Sequence, residues 1–221
     1  MIRHIDSGMK KIRKTRQVTQ GGVRRPEKKE GTMDIGTATH SFFNDPHCGD
    51  QYRWWENKDS VTLCMVDGLG HGIEAEKAAK AAICCVSRNL CEPLPRIFEK
   101  YDREISHTRG VAMSIVIVDK RNSVLTHAGI GNVSVAIRGR KKINLSSDWG
   151  IVGGGYRKLN TNTADLDAGD LVLMWTDGIS ERLDVSGYDN FPYIGTQELA
   201  DLILRDHAKE TDDATILIYK G

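Results

Sequence analysis

The fold is indicated most clearly by residues 61–72, VTLCMVDGLGHG, in which an apolar strand runs directly into an aspartate and a glycine-rich turn. Five of the six residues from Val61 to Val66 are apolar, which is typical of a buried strand. Asp67-Gly68 closes that strand, and the three glycines among residues 68–72 allow a tight turn before a helix. The stretch therefore predicts a strand-to-helix unit with a carboxylate at the strand end.

The flanking sequence extends this unit into an α+β domain. Residues 51–56 and 60–66 predict a hairpin, and apolar residues recur at helical spacing over 72–90 and 94–105. Further along, the patterns predict an antiparallel meander over 111–119, 123–129 and 132–138, a strand over 169–177, a short helix over 178–183, a helix over 196–207 and a last strand over 214–219. Many short strands with few helices between them are typical of layered antiparallel sheets.

Aspartates recur at the predicted strand ends. Asp67 and Asp177 each close an apolar strand and precede a glycine, whereas Asp212, Asp213 and Asp50 stand where strands begin. Carboxylates gathered at one rim of a sheet repel one another unless a positive charge lies between them. A hard divalent cation supplies that charge, and oxygen ligands favour magnesium or manganese over zinc. A single Asp-Gly pair is usually a surface turn, but its repetition at strand ends favours a metal site.

The charge balance divides the chain at residue 33. The 221 residues carry a formal net charge of +1, yet residues 1–32 hold ten Lys and Arg against three Asp and Glu, which leaves 21 against 27 in residues 33–221. The first segment lacks hydrophobic periodicity, so we interpret it as a disordered basic tail, as a vector-derived leader, or as the product of a misassigned start with Met33 as the true one. A basic arm for an acidic partner or nucleic acid is the functional alternative.

Several classes of protein are excluded by the composition. No apolar run approaches the roughly 18 residues that a membrane helix needs, and the first residues lack the apolar core of a secretory signal. Five cysteines, an odd number without a C-x-x-C pair, favour free thiols over a disulfide framework or a zinc site. We therefore expect a cytoplasmic protein that binds neither membrane nor nucleic acid.

Six motifs occur in an order that is typical of one enzyme family. They are GDQY at 49–52, DGLGHG at 67–72, RGVAMSIV at 109–116, AGIGNV at 128–133, WTDGI at 175–179 and DDATILI at 212–218. Together they resemble the SpoIIE-like bacterial branch of metal-dependent, PPM-type serine/threonine phosphatases. The resemblance implies a phosphatase domain over residues 33–221, built as a layered α-β-β-α sandwich of two antiparallel sheets flanked by helices.

The resemblance also implies a site for two divalent cations, Mn²⁺ or Mg²⁺. Its ligands would be Asp50, Asp67, the backbone carbonyl of Gly68, Asp177 and Asp212, while Asp213 would either bind a cation or orient the site from behind. Two such cations activate a water for in-line attack on phosphorus, so the four aspartates would act catalytically through the metals.

Two positions near this site have a less defined role. His71 is a candidate general acid for the leaving alkoxide, although a histidine in a glycine-rich turn is more often a packing residue. Eukaryotic relatives carry an arginine shortly before the first metal-binding aspartate, but residues 44–50 contain none, so the phosphate-binding residue is unassigned.

Residues 150–156 hold four glycines without the ending of a P-loop, which favours a flexible loop near the substrate groove.

These features predict a monomeric phosphoprotein phosphatase. By resemblance, its partners would be phosphorylated stressosome proteins with sulfate-transporter/anti-sigma-antagonist domains, and dephosphorylation would reset stress signalling. One alternative is a phosphatase of a lone anti-anti-sigma factor. A second is a non-catalytic binding module of the same fold, which is disfavoured because four converging carboxylates are electrostatically costly without metal.

Overall fold

The computed structural model describes residues 33–180, 183–191 and 193–221. The expectation of a basic tail or leader over residues 1–32 lies outside the described residues. The strands are β1 (Ile35–His40), β2 (Asp50–Glu56), β3 (Ser60–Gly68), β4 (Val111–Asp119), β5 (Val124–Ile130), β6 (Ser134–Arg138), β7 (Lys142–Leu145), β8 (Gly150–Ile151), β9 (Gly155–Tyr156), β10 (Asn162–Asp165), β11 (Leu171–Trp175) and β12 (Ala214–Lys220). The helices are α1 (Ile73–Arg88), α2 (Leu94–Glu104) and α3 (Thr196–His207), and short 3-10 turns lie at Phe42–Asn44 and Val185–Gly187.

The strands form two five-stranded antiparallel sheets and one short hairpin. The first sheet has the order β1-β12-β11-β6-β7, and the second has the order β10-β5-β4-β3-β2. β8 pairs with β9 in the separate hairpin. The predicted hairpin of β2 and β3 is confirmed, and its register places Asp50 directly opposite Asp67.

Alternate residues of β3 face two different apolar layers, because successive side chains of a strand point to opposite faces. Val61, Leu63 and Met65 pack against the other sheet. Cys64 and Val66 instead pack beneath α1 and α2. This double burial explains why β3 reads as a nearly continuous apolar run.

Helices cover the outer face of each sheet. The alanines Ala78, Ala79 and Ala82 let α1 lie close to the second sheet, with α2 beside it. Leu199 and Ile203 of α3 pack against the outer face of the first sheet. The helix-sheet-sheet-helix order confirms the predicted α-β-β-α architecture, with one apolar core between the sheets and one under each helical layer.

The predicted meander is wrong at its third strand. β4 and β5 pair as expected, but β6 pairs with β11 and β7 in the other sheet. The chain changes sheets at residues 131–133, where Gly131 has a φ of +93° and a Cβ would lie 2.5 Å from the Cβ of Ala112. Alternating polarity identifies a strand but says nothing about its partner, so the sequence pattern could not reveal this crossover.

The short helix predicted over residues 178–183 is also not found in its described part. Asp177 and Gly178 form a turn after β11, and Ile179 makes a β-bridge with Ala208; residues 181 and 182 are outside the described ranges. The five cysteines are free thiols, as expected. In the parts of the chain that the structure describes, no helix has the length and apolarity needed to cross a membrane.

Candidate active site

Strands of both sheets end at one rim, and the five predicted aspartates lie there. Asp50 and Asp67 face each other across β2 and β3, Asp177 lies two residues after the end of β11, and Asp212 and Asp213 directly precede β12. Asp67 experiences electrostatic repulsion from all four of the others. We call these five residues the acidic rim. Their positions at strand ends predict that these aspartates lie together, and the structure brings them together; their role as metal ligands is a prediction.

Asp50 is the most deeply placed member of the acidic rim. Its side chain is buried, and its Oδ2 accepts a hydrogen bond of 2.6 Å from the hydroxyl of Thr176. That hydroxyl in turn accepts the backbone N–H of Thr215 at 2.9 Å. The other oxygen, Oδ1, is buried and has no hydrogen-bond partner among the described residues. Burial raises the pKa of Asp50 to about 7. An orphaned buried carboxylate oxygen fits a cation ligand, because it otherwise carries an uncompensated desolvation cost.

Burial and neighbouring carboxylates also raise the pKa values of Asp67 and Asp212. Burial, followed by repulsion from Asp50 and Asp177, raises the pKa of Asp67 to about 8. Burial and then Asp177 also raise the pKa of Asp212. Within residues 33–180, 183–191 and 193–221, no group of three or more His, Cys, Asp or Glu side chains is arranged so that it could hold a metal ion. The acidic rim nevertheless has the oxygen donors and the excess negative charge that suit a hard divalent cation.

The carboxylate of Asp213 accepts hydrogen bonds from two backbone N–H groups. Its Oδ1 accepts the N–H of Phe42 at 2.8 Å and its Oδ2 accepts the N–H of Gly49 at 2.7 Å. The side chain is buried. These bonds hold the turn that leads into Asp50, which fits the orienting role, one of the two roles that the resemblance left open.

Two side chains that sequence analysis did not single out hold Asp177. The side-chain amide of Asn132, in the crossover between the sheets, donates to Oδ2 of Asp177 at 2.7 Å. The ammonium group of Lys209 donates to the backbone carbonyl of Asp177. Thr176, which supports Asp50, was missed in the same way. Asn132 and Thr176 both lie inside quoted motifs, AGIGNV and WTDGI, but their partners are distant in sequence.

The loop from Asp67 to Gly72, which we call the DG loop, approaches α1 closely. A Cβ at Gly68 would lie 2.2 Å from the carbonyl oxygen of Ala75, so only glycine fits there. His71 is exposed, and its ring lies 5.2 Å from that of Phe42. This contact agrees with a packing role for His71, and the role of His71 as a general acid stays a prediction.

A groove of about 470 Å³ lies beside the DG loop. Its lining includes Leu69 of that loop, Asn132, Trp149 and Ile151. Residues 150–156, predicted as a loop, form the β8–β9 hairpin along one side. Trp149 is 95% exposed, so a large apolar surface is available next to the acidic rim. The groove therefore opens beside the acidic rim, since its lining residue Asn132 contacts Asp177.

Known proteins resemble this chain in sequence and in fold. A curated relative, Phosphoserine phosphatase RsbX of Bacillus subtilis (strain 168), is 27% identical over 136 residues, which is 60% of this chain and 68% of the relative. A chain of the structure described as "The bacterial stressosome: a modular system that has been adapted to control secondary messenger signaling" is 28% identical, with a TM-score of 0.80 over 86% of this chain and 100% of that one. The crystal structure of RsbX in complex with magnesium has a TM-score of 0.72 at 20% identity, over 83% of this chain and 92% of that one, and supports the fold alone.

A protein-family model gives the assignment. The model of SpoIIE, described as Stage II sporulation protein E, matches residues 57–220. The matched span contains four members of the acidic rim and the DG loop, while Asp50 precedes it. Because this match covers well over half of the chain, the protein belongs to the SpoIIE family of PPM-type protein phosphatases.

Proposed function

We propose that the acidic rim hydrolyses phosphoserine and phosphothreonine on protein substrates with the help of two divalent cations, Mn²⁺ or Mg²⁺. The observation that carries the proposal is the convergence of the rim carboxylates, among which burial and mutual repulsion raise the pKa of Asp50, Asp67 and Asp212. A structural rim without cations would keep this repulsion and gain nothing from it.

The cations would be held by Asp50, Asp67, Asp177 and Asp212 together with the carbonyl of Gly68. When bound, they supply a water nucleophile at neutral pH and neutralise charge on the phosphoryl group. The protein's own contribution is orientation. Thr176 fixes one oxygen of Asp50 and thereby leaves the other free, and Asn132 fixes one oxygen of Asp177.

A covalent cysteine mechanism is disfavoured by the nearest thiol. Cys48 lies two residues before Asp50, and burial, together with the charges of Asp50 and Asp213, raises its pKa to about 12. The thiol is therefore protonated at neutral pH, and only the thiolate is an effective nucleophile. This supports direct attack by water.

For the substrate, we propose phosphorylated stressosome proteins that carry sulfate-transporter/anti-sigma-antagonist domains. Two likenesses support this choice, one to the phosphoserine phosphatase RsbX and one to the chain from the stressosome structure. Dephosphorylation of such a protein would return the stressosome to its resting state.

The test is a release assay for inorganic phosphate with Mn²⁺ or Mg²⁺ and three phosphorylated substrates. These are a stressosome scaffold protein, a lone anti-anti-sigma factor and an unrelated phosphopeptide. We expect the highest kcat/KM with the scaffold protein; a preference for the lone factor would overturn the substrate assignment.

The metal assignment is tested in the same assay with Asp67→Asn. We expect activity to fall by about 100-fold or more, since a ligand is lost where even supporting residues cost 10- to 100-fold. Asp189→Asn, an exposed aspartate outside the rim, is the matched control and should retain full activity. Equal activity of Asp67→Asn and wild type would refute the metal assignment, and inactivity of the wild type with all substrates would favour a non-catalytic module.

A further inference from the structure

The positively charged side chain of Arg109 lies against the DG loop. A Cβ built at Gly70 would lie 2.9 Å from Nη1 of Arg109. Arg109 is exposed, and its guanidinium makes no hydrogen bond or ion pair with any residue in the described ranges. Its electrostatic influence reaches Glu74, but that carboxylate is already paired with Lys77 at 2.8 Å.

The backbone that carries Arg109 is firmly held. The N–H of Leu69 donates to the carbonyl of Gly110 at 3.1 Å, and Val111 exchanges two hydrogen bonds of 2.9 Å with Val152. Gly110 has a φ of +83°, and a Cβ there would lie 2.5 Å from Ile151. The chain therefore makes a tight turn between the DG loop and the β8–β9 hairpin, and this turn sets the direction of the Arg109 side chain.

The ammonium group of Lys209, which lies at the acidic rim itself, is differently engaged. Lys209 donates to the backbone carbonyl of Asp177, so at least one of its N–H bonds is committed to the protein. An incoming phosphoryl dianion must approach five carboxylates, and an unengaged guanidinium offsets that repulsion. The planar fork of arginine also matches two phosphoryl oxygens, which a lysine cannot do.

We propose that Arg109 binds the phosphoryl group of the phosphoserine or phosphothreonine substrate and thus supplies the phosphate-binding residue that residues 44–50 lack. The inference rests on the proposed function, because it places the phosphoryl group between Arg109 and the acidic rim. Two N–H donors of the guanidinium would contact oxygens of the phosphoryl group that do not leave with the alcohol.

The test compares Arg109→Met and Arg109→Lys with a matched control, Arg140→Met. Arg140 is exposed at the turn between β6 and β7, at the opposite end of the sheet from the rim, since Arg138 pairs with Leu171 and Ser134 with Trp175. The readouts are kcat/KM for a phosphopeptide, inhibition by inorganic phosphate, calorimetric binding of inorganic phosphate with Mg²⁺ present, and Mg²⁺ affinity.

We expect Arg109→Met to lower kcat/KM by about 10- to 100-fold and to weaken the binding of inorganic phosphate by about tenfold, as for the loss of a charge-assisted hydrogen bond. Arg109→Lys should recover part of both effects, while Mg²⁺ affinity and thermal unfolding stay at the wild-type value. Unchanged phosphate binding in Arg109→Met, an equal loss in Arg140→Met, or a parallel loss of Mg²⁺ affinity would each overturn the inference.

The calorimetric measurement separates this inference from the proposed function. If the wild type hydrolyses no phosphoprotein, the proposed function fails, yet weaker phosphate binding by Arg109→Met still supports a phosphate site at Arg109. If the wild type hydrolyses phosphoproteins and Arg109→Met binds phosphate equally well, the function stands and the inference fails. Absence of phosphate binding by the wild type also overturns it.

Discussion

Without divalent cations, the protein is expected to lose stability as the pH rises from mildly acidic values to about 8. Asp67 and Asp50 have folded-state pKa values of about 8 and about 7, far above the usual value of a carboxyl group. A carboxyl group that is protonated in the folded state and ionised in the unfolded state stabilises the fold at low pH. That stabilisation is lost as the pH rises through the folded-state pKa.

The magnitude follows from the two pKa values. Between pH 6.5 and 8.0, ionisation of Asp67 costs about 1.5 kcal/mol of unfolding free energy and that of Asp50 about 1 kcal/mol, at roughly 1.4 kcal/mol per pKa unit. This window also avoids His127, whose pKa burial lowers to about 4. Titration of His127 changes the free energy of unfolding in the opposite direction, but only at pH values below roughly 6.5, the pKa of a histidine in the unfolded chain.

The assay is urea unfolding at pH 6.5, 7.25 and 8.0, with EDTA and then with saturating Mg²⁺. With EDTA the free energy of unfolding should fall by about 2 kcal/mol over the range, and Mg²⁺ should abolish the fall, because the ionised carboxylates then bind cations. Asp67→Asn should lose more than half of the slope, whereas the exposed Asp189→Asn should keep the wild-type slope. A flat or rising profile with EDTA, or an unchanged slope in Asp67→Asn, would refute the reasoning.

Three further substitutions test the surroundings of the acidic rim. Thr176→Val removes the donor to a buried carboxylate and leaves a backbone N–H unpaired, so urea unfolding should show a loss of about 3 kcal/mol, which Thr176→Ser should largely avoid. Gly178→Ala places a Cβ 1.9 Å from a backbone carbonyl oxygen and should cost about 3 kcal/mol or more, against about 0.5 kcal/mol or less for Gly187→Ala, which has open space; similar midpoints for the two would contradict the structure. Trp149→Ala should leave unfolding unchanged but raise KM for a phosphoprotein several-fold in steady-state assays, and an unchanged KM would exclude the groove as a substrate contact.

Local pattern was a sound guide to the elements themselves. The apolar run before Asp67, the helical spacing after Gly72 and the turn between β2 and β3 all depend on neighbours within a few residues, so periodicity was enough to predict them. The bounds of α3 were predicted to the residue, at 196–207. The short helix over 178–183 failed because β12, far along the chain, pairs with the end of β11 and Asp213 approaches Gly178.

The order of residues alone predicts carboxylates at strand ends and shows six motifs in the order of a phosphatase family. Which side chains contact one another depends on the tertiary fold. The partnership of Thr176 with Asp50 spans 126 residues, and β6 changed sheets without any change in its alternating pattern. Arg109 lies against the DG loop because β4 pairs with β3 as far as Gly68 and because the carbonyl of Gly110 accepts the N–H of Leu69. The physical reason is that periodicity reports which face of an element is buried, whereas contacts between distant elements depend on how the layers pack.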